Sequence, residues 1–348
     1  MKIFLPIFLI IQTLQKSDVY FTKEITPSKM VEMLKKLNLN LSGNVGLKIH
    51  SGEPNGLYFL KPDFLQEIYD YTKGTFLECN TAYQSVRSDT TTHRKLLEEN
   101  GWTKNNRRIV IMDEDPNKDF VLPVKKHEMI SENYVGEHLK DYDSCIVLSH
   151  FKGHQMGGFG GALKQLSIGF ASQKGKTWIH TAGEYTEWKY AMSKAASQEK
   201  FTAAMADAAS TIVDYFNNKG KIGFITVMAN ISLYCDCAGA SAPVPKIPDI
   251  GILASTDPVA IDKAALDLVK EKSGSGTTEL FQQINRLKGE NTVDVAEKIG
   301  VGTKDYNLIN IDSNSNAGSY NFISIKFVGA LLDIIFIIIW NIILLKLN

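Results

Sequence analysis

The stretch C-I-V-L-S-H-F-K-G-H-Q-M-G-G-F-G-G-A-L-K-Q-L, residues 145–166, indicates how the chain folds. It begins with the apolar run Cys145–Leu148, which is typical of a strand buried on both faces of a sheet. A polar, glycine-rich segment follows, and Ala162–Leu166 then opens a helical pattern. A buried strand, a polar loop and a helix in this order form one unit of a parallel α/β sheet.

The same alternation recurs on both sides of this stretch. The predicted strands are Val45–Ile49, Thr75–Glu78, Arg108–Met112, Cys145–Leu148, Ile222–Met228, Ile250–Leu253 and Leu308–Ile311. The predicted helices are Ser28–Leu37, Lys61–Thr72, Thr90–Asn100, Phe201–Phe216 and Val259–Lys272. Thr26-Pro27 and Asp257-Pro258 each place a capping residue before a first-turn proline, so Asp257, like Asp262 one turn later, is predicted to be structural. We therefore predict an α/β fold, with a doubly wound, mostly parallel sheet and helices on both faces.

Composition excludes several classes of protein. The 348 residues contain 38 Lys and Arg and 38 Asp and Glu, so no basic excess is present to neutralise phosphates, and a dedicated nucleic-acid binder is not expected. Four cysteines in this length do not make a disulfide scaffold. The folded body is therefore expected in a reducing compartment, the cytoplasm.

The two ends of the chain differ from its body at residues 17–312. Residues 1–16 form an apolar extension, read either as a signal-like segment without a clear cleavage site or as a misassigned start. Residues 313–326 form a polar linker. Residues 327–345 are almost entirely apolar, and as a helix they would span ~28 Å, close to the ~30 Å hydrocarbon core. We predict a transmembrane tail helix that anchors the body, the alternative being a buried helix or strand pair.

Polar residues follow the predicted strands in an unusual concentration. Ligands of open α/β sheets bind beyond the carboxyl ends of the strands, so these residues are expected to share one cleft. Glu53 follows the first of these strands, and Asp113 follows Arg108–Met112. Carboxylates in such a position are candidate general acids or bases.

The glycine-rich segment predicts an anion site. Gly157, Gly158, Gly160 and Gly161 allow the backbone to approach a ligand closely. The N–H groups of the following helix, with Lys152 and Lys164, would then attract a phosphate or carboxylate. The alternative is a tight glycine turn that serves packing alone.

Histidines and cysteines predict a metal site. His150 and His154 lie four residues apart, and Cys235 and Cys237 lie two apart. Imidazole and thiolate are ligands for soft and borderline transition metals. An iron–sulfur cluster needs four ligands, so Cys79 or Cys145 would have to complete it.

Five motifs in order resemble a known but uncharacterised family. They are G-L-K-I-H-S-G-E (46–53), F-L-E-C-N-T-A-Y (76–83), S-H-F-K-G-H-Q-M-G-G-F-G-G-A-L-K (149–164), Y-C-D-C-A-G (234–239) and D-I-G-I-L-A-S-T-D-P-V-A-I-D (249–262). Together they resemble the domain of unknown function 362 family. The family pattern maps onto Lys152, His154, Gly158 and Lys164, and onto Cys235, Asp236 and Cys237. The resemblance implies an association with iron–sulfur proteins, although the appended ferredoxin module of many relatives does not occur in this sequence.

The leading hypothesis is a metal- or iron–sulfur-associated redox enzyme or maturation protein. Its candidate catalytic residues are His154, Lys152, Asp113 and Glu53. The cofactor would be an iron–sulfur cluster or a single transition metal, with a ferredoxin-type protein as a redox partner. The alternative is a non-catalytic binding protein for an anionic metabolite held by the Gly-rich loop 157–161. A third reading is a membrane-tethered partner domain.

Overall fold

Secondary structure is defined in the computed structural model for residues 16–217 and 221–312. In these residues the strands are β1 (Ser17–Thr22), β2 (Val45–Lys48), β3 (Thr75–Glu78), β4 (Ile109–Ile111), β5 (Asp119–Pro123), β6 (Glu132–Gly136), β7 (Ser144–His150), β8 (Lys152–His154), β9 (Gly158–Gly160), β10 (Ile222–Met228), β11 (Gly251–Ser255) and β12 (Tyr306–Asn310). The helices are α1 (Pro27–Lys36), α2 (Gln66–Thr72), α3 (Thr90–Glu99), α4 (Ala162–Phe170), α5 (Gln173–His180), α6 (Tyr190–Ser193), α7 (Gln198–Asn217), α8 (Pro258–Lys270), α9 (Ser275–Arg286) and α10 (Asn291–Ile299). Short 3₁₀ turns lie at Lys104–Asn106, Glu137–Asp141 and Asp236–Ser241.

One large sheet organises the described part of the chain. Its eight strands run in the order β12-β1-β11-β10-β7-β2-β3-β4. The strand β11 is antiparallel to both of its neighbours, and the other five adjacent pairs are parallel. The predicted α/β class and mostly parallel sheet are confirmed, and all seven predicted strands lie in this sheet. The eighth strand, β1, was not predicted.

Helices cover both faces of the sheet because its central strands are apolar on both sides. In β7, Cys145 and Val147 pack in one core cluster with residues of α4, α7 and α8. The neighbouring Ile146 and Leu148 pack in a second cluster with residues of α1, α2 and α3. Successive side chains of a strand point to opposite faces, so a continuous apolar run serves two cores.

Helix starts follow the local signals in the sequence. The Thr26 side chain accepts from Lys29 N and caps α1. The Asp257 carboxylate accepts from Val259 N at 2.8 Å and Ala260 N at 3.0 Å and caps α8. Its other oxygen accepts from Ser17 Oγ at 2.7 Å and Thr303 N at 2.9 Å, which ties β1 and the approach to β12 to the same residue.

The two small sheets were not predicted. Strands β5 and β6 pair antiparallel, as do β8 and β9. The β8–β9 hairpin lies inside the segment 149–161 that was expected to be a loop. Each of its strands has three residues, which is too short for a periodic signal.

The predicted apolar ends lie almost wholly outside the described residues. This applies to residues 1–15 of the N-terminal extension, to the linker 313–326 and to the predicted membrane helix 327–345. Among residues 16–217 and 221–312, no helix is long and apolar enough to cross a membrane.

A buried ion cluster joins the carboxyl ends of β2 and β3. Glu78 accepts from Lys48 Nζ at 2.9 Å and from Arg87 Nη2 at 2.7 Å, and Arg87 also binds Glu53 at 3.1 Å. Glu78 also accepts hydrogen bonds from the backbone N–H and the hydroxyl group of Ser51. Burial opposes the charge on Glu78, but Lys48 and Arg87 together hold its pKa well below the usual range.

We expect Asp257→Ala to destabilise the fold more than Asp89→Ala, which is the matched control. Asp89 caps α3 through Thr91 N and Thr92 N alone. Loss of that cap should cost about 1 kcal/mol. Asp257→Ala loses a cap and two further hydrogen bonds, and should cost about 2–3 kcal/mol. Urea unfolding followed by circular dichroism measures both, and equal costs would contradict the joining role of Asp257.

We expect Glu78→Gln to lower the free energy of unfolding by about 3–5 kcal/mol near neutral pH, because Lys48 and Arg87 lose a buried counter-charge. The folded pKa of Glu78 is depressed, so its contribution is present above the unfolded value and is lost as the pH falls. The difference from wild type should therefore narrow below about pH 4. The control is Glu99→Gln, whose partner Lys95 is exposed, and a cost similar to that of Glu78→Gln would refute this assignment.

Candidate metal and thiol site

The two cysteines of the C-D-C motif lie in a tight segment after β10. Cys235 Sγ accepts from Cys237 N at 3.3 Å, at the start of the 3₁₀ turn Asp236–Ser241. Gly239 has φ +56°, and a Cβ there would lie 3.1 Å from Pro54 O. Glycine therefore lets this turn lie against the segment that follows β2, so two strand ends meet at the site.

Asp236, between the two cysteines, is bound by His150 at the end of β7 and by Lys152 in β8. Its carboxylate accepts from His150 Nδ1 at 3.0 Å and from Lys152 Nζ at 2.5 Å. Burial opposes this charge, but His150 and Lys152 hold the pKa of Asp236 below its ordinary value. Lys152, predicted as catalytic, is thus an ion-pair partner that holds the motif in place.

The ring nitrogens of His150 do not face the other predicted metal ligands. Its Nδ1 faces Asp236, and its Nε2 donates to Ala229 O at 2.7 Å. Both ring nitrogens face acceptor oxygens, so neither directs a lone pair at a metal ion. The sequence predicted metal ligation by at least one of His150 and His154. In the structure His150 binds Asp236, whereas His154 offers a ligand atom near the two cysteines.

Two other imidazoles approach Cys235. His154 Nδ1 accepts from Met156 N at 3.1 Å and Gly157 N at 2.9 Å, and His50 Nδ1 accepts from Gly52 N at 3.1 Å. Both rings lie close enough to Cys235 to help hold the pKa of its thiol below the usual range.

This arrangement gives the two thiols different properties. Burial opposes a charge on Cys235, but hydrogen bonds from Cys237, His154 and His50 hold the pKa of its thiol well below the usual range. The hydrogen bond to Cys235, with burial, raises the pKa of Cys237 well above its usual value. Cys235 is 1% exposed, whereas Cys237 is partly exposed. The pair therefore consists of a buried thiolate beside an accessible thiol.

Three possible metal ligands meet here. His154, Cys235 and Cys237 each offer one ligand atom, and these atoms lie within 4.8 Å of one another. The expectation that Cys79 or Cys145 completes a cluster is not met in the described residues. Cys79 Sγ lies 3.5 Å from Phe170 O, and Cys145 is buried inside β7. A surface cavity of about 430 Å³ beside Lys16–Tyr20 contains neither cysteine nor histidine, so donor chemistry rather than cavity volume locates the site.

The glycines of the predicted anion loop mainly serve close packing. Gly158 has φ +79°, and a Cβ there would lie 2.9 Å from Gly289 Cα. A Cβ at Gly161 would lie 2.4 Å from Asp262 Oδ1, and one at Gly157 would lie 3.4 Å from Met205 Cε. Gly160 is different, since Lys152 and Lys164 are its nearest neighbours.

The helix that follows these glycines is closed to an external anion. Asp262 accepts from Ala162 N at 2.7 Å and from Leu163 N at 2.9 Å, so a carboxylate of α8 already occupies the N-terminus of α4. The prediction that the N–H groups at the start of this helix attract an external anion is therefore corrected. Asp262 was expected to be structural at the start of its own helix, and it caps a different helix 100 residues away.

The two carboxylates predicted as acid–base groups are engaged in structural bonds. Glu53 accepts from Tyr83 Oη at 3.0 Å and pairs with Arg87. Asp113 accepts from Asn80 N at 2.8 Å and Gln173 N at 3.0 Å, and burial raises its pKa. Their catalytic roles remain predictions.

Sequence reasoning did not select His50 or His180 as site residues. His50 follows β2 directly, and this position after a parallel strand was the available signal. His180, at the end of α5, donates from Nδ1 to Lys176 O at 2.6 Å and stacks on Phe201. Burial and the charge of Lys164 lower its pKa to about 4. His180 is therefore a neutral imidazole whose pKa is influenced by Lys164, the lysine that lies beside Gly160.

We expect iodoacetamide to label only the C-D-C pair in the native protein at pH 7.5. Cys237 is partly exposed, whereas burial raises the pKa of Cys79 and raises that of Cys145 to about 12. Peptide mass spectrometry after timed labelling identifies the sites. Urea-unfolded protein, in which all four cysteines should react, is the control. Native labelling at Cys79 or Cys145 would contradict the described packing.

The similarity of the chain to solved structures is distant. A search of curated proteins gave no match. Among solved structures, the lactate racemase apoprotein from Thermoanaerobacterium thermosaccharolyticum aligns with a TM-score of 0.42 and 11% identity, covering 72% of this chain and 57% of that chain. A structural-genomics protein from Thermotoga maritima aligns with a TM-score of 0.36 and 14% identity, covering 78% and 59%. The chain thus spans less than two thirds of each of these proteins.

The family match covers the site. The model described as "Domain of unknown function (DUF362)" matches residues 45–267, more than half of the chain. This range begins at β2, includes the β8–β9 hairpin and the C-D-C motif, and ends in α8. The chain belongs to the DUF362 family.

Proposed function

We propose that the protein is a metal-handling accessory protein that binds a thiophilic metal ion through Cys235 and Cys237, with His154 as an exchangeable third ligand. The observation that carries the proposal is the convergence of three ligand atoms within 4.8 Å at the ends of the central strands. Under this proposal the ion is cargo for a maturation reaction, which is the second half of the hypothesis drawn from the sequence.

The donor set fits such an ion. Two thiolates and an imidazole suit Zn²⁺, Cu⁺, Ni²⁺ or iron, and do not suit Mg²⁺ or Ca²⁺, which prefer oxygen. The partly exposed Cys237 gives the ion a path to the buried Cys235. Binding would displace the proton of Cys237, and the charges of Lys164 and Lys152 favour that loss. A four-cysteine cluster would need ligands from outside the described residues, so a single ion is the proposal.

The hydrogen bonds of His154 support exchange rather than permanent storage. A metal-binding histidine usually donates its other ring N–H to a protein acceptor. His154 instead accepts at Nδ1 from Met156 N and Gly157 N, so ligation requires the ring to give up these bonds. Two firm ligands and one weaker ligand leave positions open for a recipient protein or a substrate.

The direct test is metal binding by the reduced full-length protein. Zn²⁺ affinity is measured by competition with a chromophoric chelator, and metal content by elemental analysis. We expect Cys235→Ser and Cys237→Ser each to weaken binding at least 100-fold, and His154→Ala to weaken it about tenfold, the smaller effect of a single exchangeable ligand.

Cys79→Ala is the matched control, because it removes a buried thiol outside the site. It should bind Zn²⁺ as the wild type does. Unchanged affinity in both cysteine variants, with circular dichroism showing that they are folded, would refute the proposal.

A second function is favoured by the two imidazoles on Cys235, namely thiol–disulfide exchange. The partly exposed Cys237 would lose its proton and attack a substrate disulfide, which releases one substrate thiolate. Cys235 would then attack Cys237 Sγ, which releases the second substrate thiolate and leaves a Cys235–Cys237 disulfide. Reduction of a fluorogenic disulfide, lost in Cys237→Ser and accompanied by no metal binding in the wild type, would favour this function over the first.

A further inference from the structure

We infer that the edge of the sheet that carries the cysteine pair faces a lipid bilayer, and that apolar side chains of three loops at this edge contact the membrane surface. The bilayer is the partner because residues 327–345 of the tail are almost entirely apolar. The facing edge follows from the strand directions and from the exposed side chains. The inference goes beyond the proposed function and does not require a metal ion.

The chain leaves the described residues at the edge of the sheet that carries the site. Strand β12 is parallel to β1, and both run in the direction of β10, because β11 is antiparallel to β1 and to β10. Strand β10 is in turn parallel to β7, and β7 is parallel to β2. The carboxyl end of β12 therefore lies at the edge where His50, His154 and Cys235 follow β2, β7 and β10.

The point of exit is fixed to the sheet and lies near the site. The Asp312 carboxylate accepts from Lys23 N at 3.0 Å and from the Thr22 hydroxyl group, at the carboxyl end of β1. Strand β12 is three positions from β10 in the sheet. Neighbouring strands lie ~4.8 Å apart, so the exit is roughly 14 Å along the edge from the strand that precedes the cysteines.

The length of the polar linker favours a close approach of this edge to the membrane. As a fully extended chain, residues 313–326 would span at most about 50 Å. A folded body of this size is itself about 50 Å across. With the opposite edge toward the bilayer, the linker would have to be fully extended around the body, whereas the site edge can face the bilayer without this extension.

Exposed apolar side chains lie on the loops at this edge. Leu57, in the loop that follows β2, is 63% exposed, and Val244, between β10 and β11, is 74% exposed. Val86, in the loop that follows β3, and Tyr234, between β10 and β11, are also exposed. Exposed apolar side chains that lie together mark interaction surfaces, and tyrosine is enriched where a membrane meets water.

The three loops form one surface because they contact one another. Tyr83 Oη donates to Glu53 at 3.0 Å, which joins the loop after β3 to the loop after β2. A Cβ at Gly239 would lie 3.1 Å from Pro54 O, so the segment after β10 lies against the loop after β2 as well. The partly exposed Cys237 belongs to this segment, and the thiol pair therefore lies among the loops that we assign to the membrane surface.

The experiment uses the full-length protein reconstituted into vesicles of phosphatidylcholine. The photoreactive residue p-benzoylphenylalanine replaces Leu57, Val244 or Tyr71 in three separate variants. Tyr71 is the matched control, because it is 50% exposed but lies in the last turn of α2, just before β3 begins at the opposite edge. Circular dichroism checks the fold of each variant, and peptide mass spectrometry after irradiation measures the yield of lipid adducts at each position.

We expect lipid adducts at positions 57 and 244 in at least fivefold higher yield than at position 71, with or without bound Zn²⁺. A yield at position 57 or 244 no greater than that at position 71 would overturn the facing edge and leave the exposed apolar side chains to a protein partner. Full-length protein that alkaline carbonate extracts from the vesicles would overturn the membrane assignment itself. Neither result bears on Zn²⁺ affinity, so failure of this inference is distinguishable from failure of the proposed function.

Discussion

The buried carboxylate of Asp236 is the group on which the site depends. It lies between the two cysteines, so whatever holds Asp236 also places both thiols. His150 at the end of β7 and Lys152 in β8 supply that hold. A buried carboxylate deprived of such partners would be strongly unfavourable, and so would the buried ammonium group of Lys152 deprived of its counter-charge. The ion cluster therefore fixes the C-D-C segment against the sheet, although no covalent link joins them.

A second buried cluster acts one strand further along the sheet. Glu78 binds Lys48 and Arg87, and Arg87 reaches Glu53 in the segment against which Gly239 packs. The first cluster thus holds the C-D-C motif, and the second holds the segment at Glu53 against which Gly239 lies. The two clusters lie near each other because the carboxyl ends of parallel strands lie at the same edge of a sheet, and the polar residues that follow those strands lie there too. The histidines and cysteines of the site lie at this edge, and the buried ion pairs of Glu78 and Asp236 join the segments that follow the strands.

The resulting site combines features of metal sites and of reactive thiols. Three possible ligands converge, yet both imidazoles beside Cys235 accept backbone hydrogen bonds at Nδ1. In a site built only to store metal, each histidine would donate a hydrogen bond from one ring nitrogen to the protein and offer the lone pair of the other nitrogen to the metal. A thiolate stabilised by hydrogen bonds, and able to exchange them for a metal ion, suits a protein that receives and releases its cargo.

Seven of the eight strands of the central sheet could be predicted from the sequence, because buried strands are continuous apolar runs that can be recognised without their partners, whereas β1 was missed. The helix starts at Pro27 and Pro258 could also be predicted, since capping is local, and so could the group of polar residues at the strand ends. The sequence did not determine which atoms face one another. His150 meets Asp236 across 86 residues, and Asp262 caps α4 across 100. The sequence therefore predicted metal ligation by at least one of His150 and His154, and left open whether the glycines hold an anion or serve packing. The tertiary structure resolves such questions, because the direction of a ring nitrogen or a helix N–H group depends on its hydrogen-bond partner, and here those partners come from distant parts of the chain.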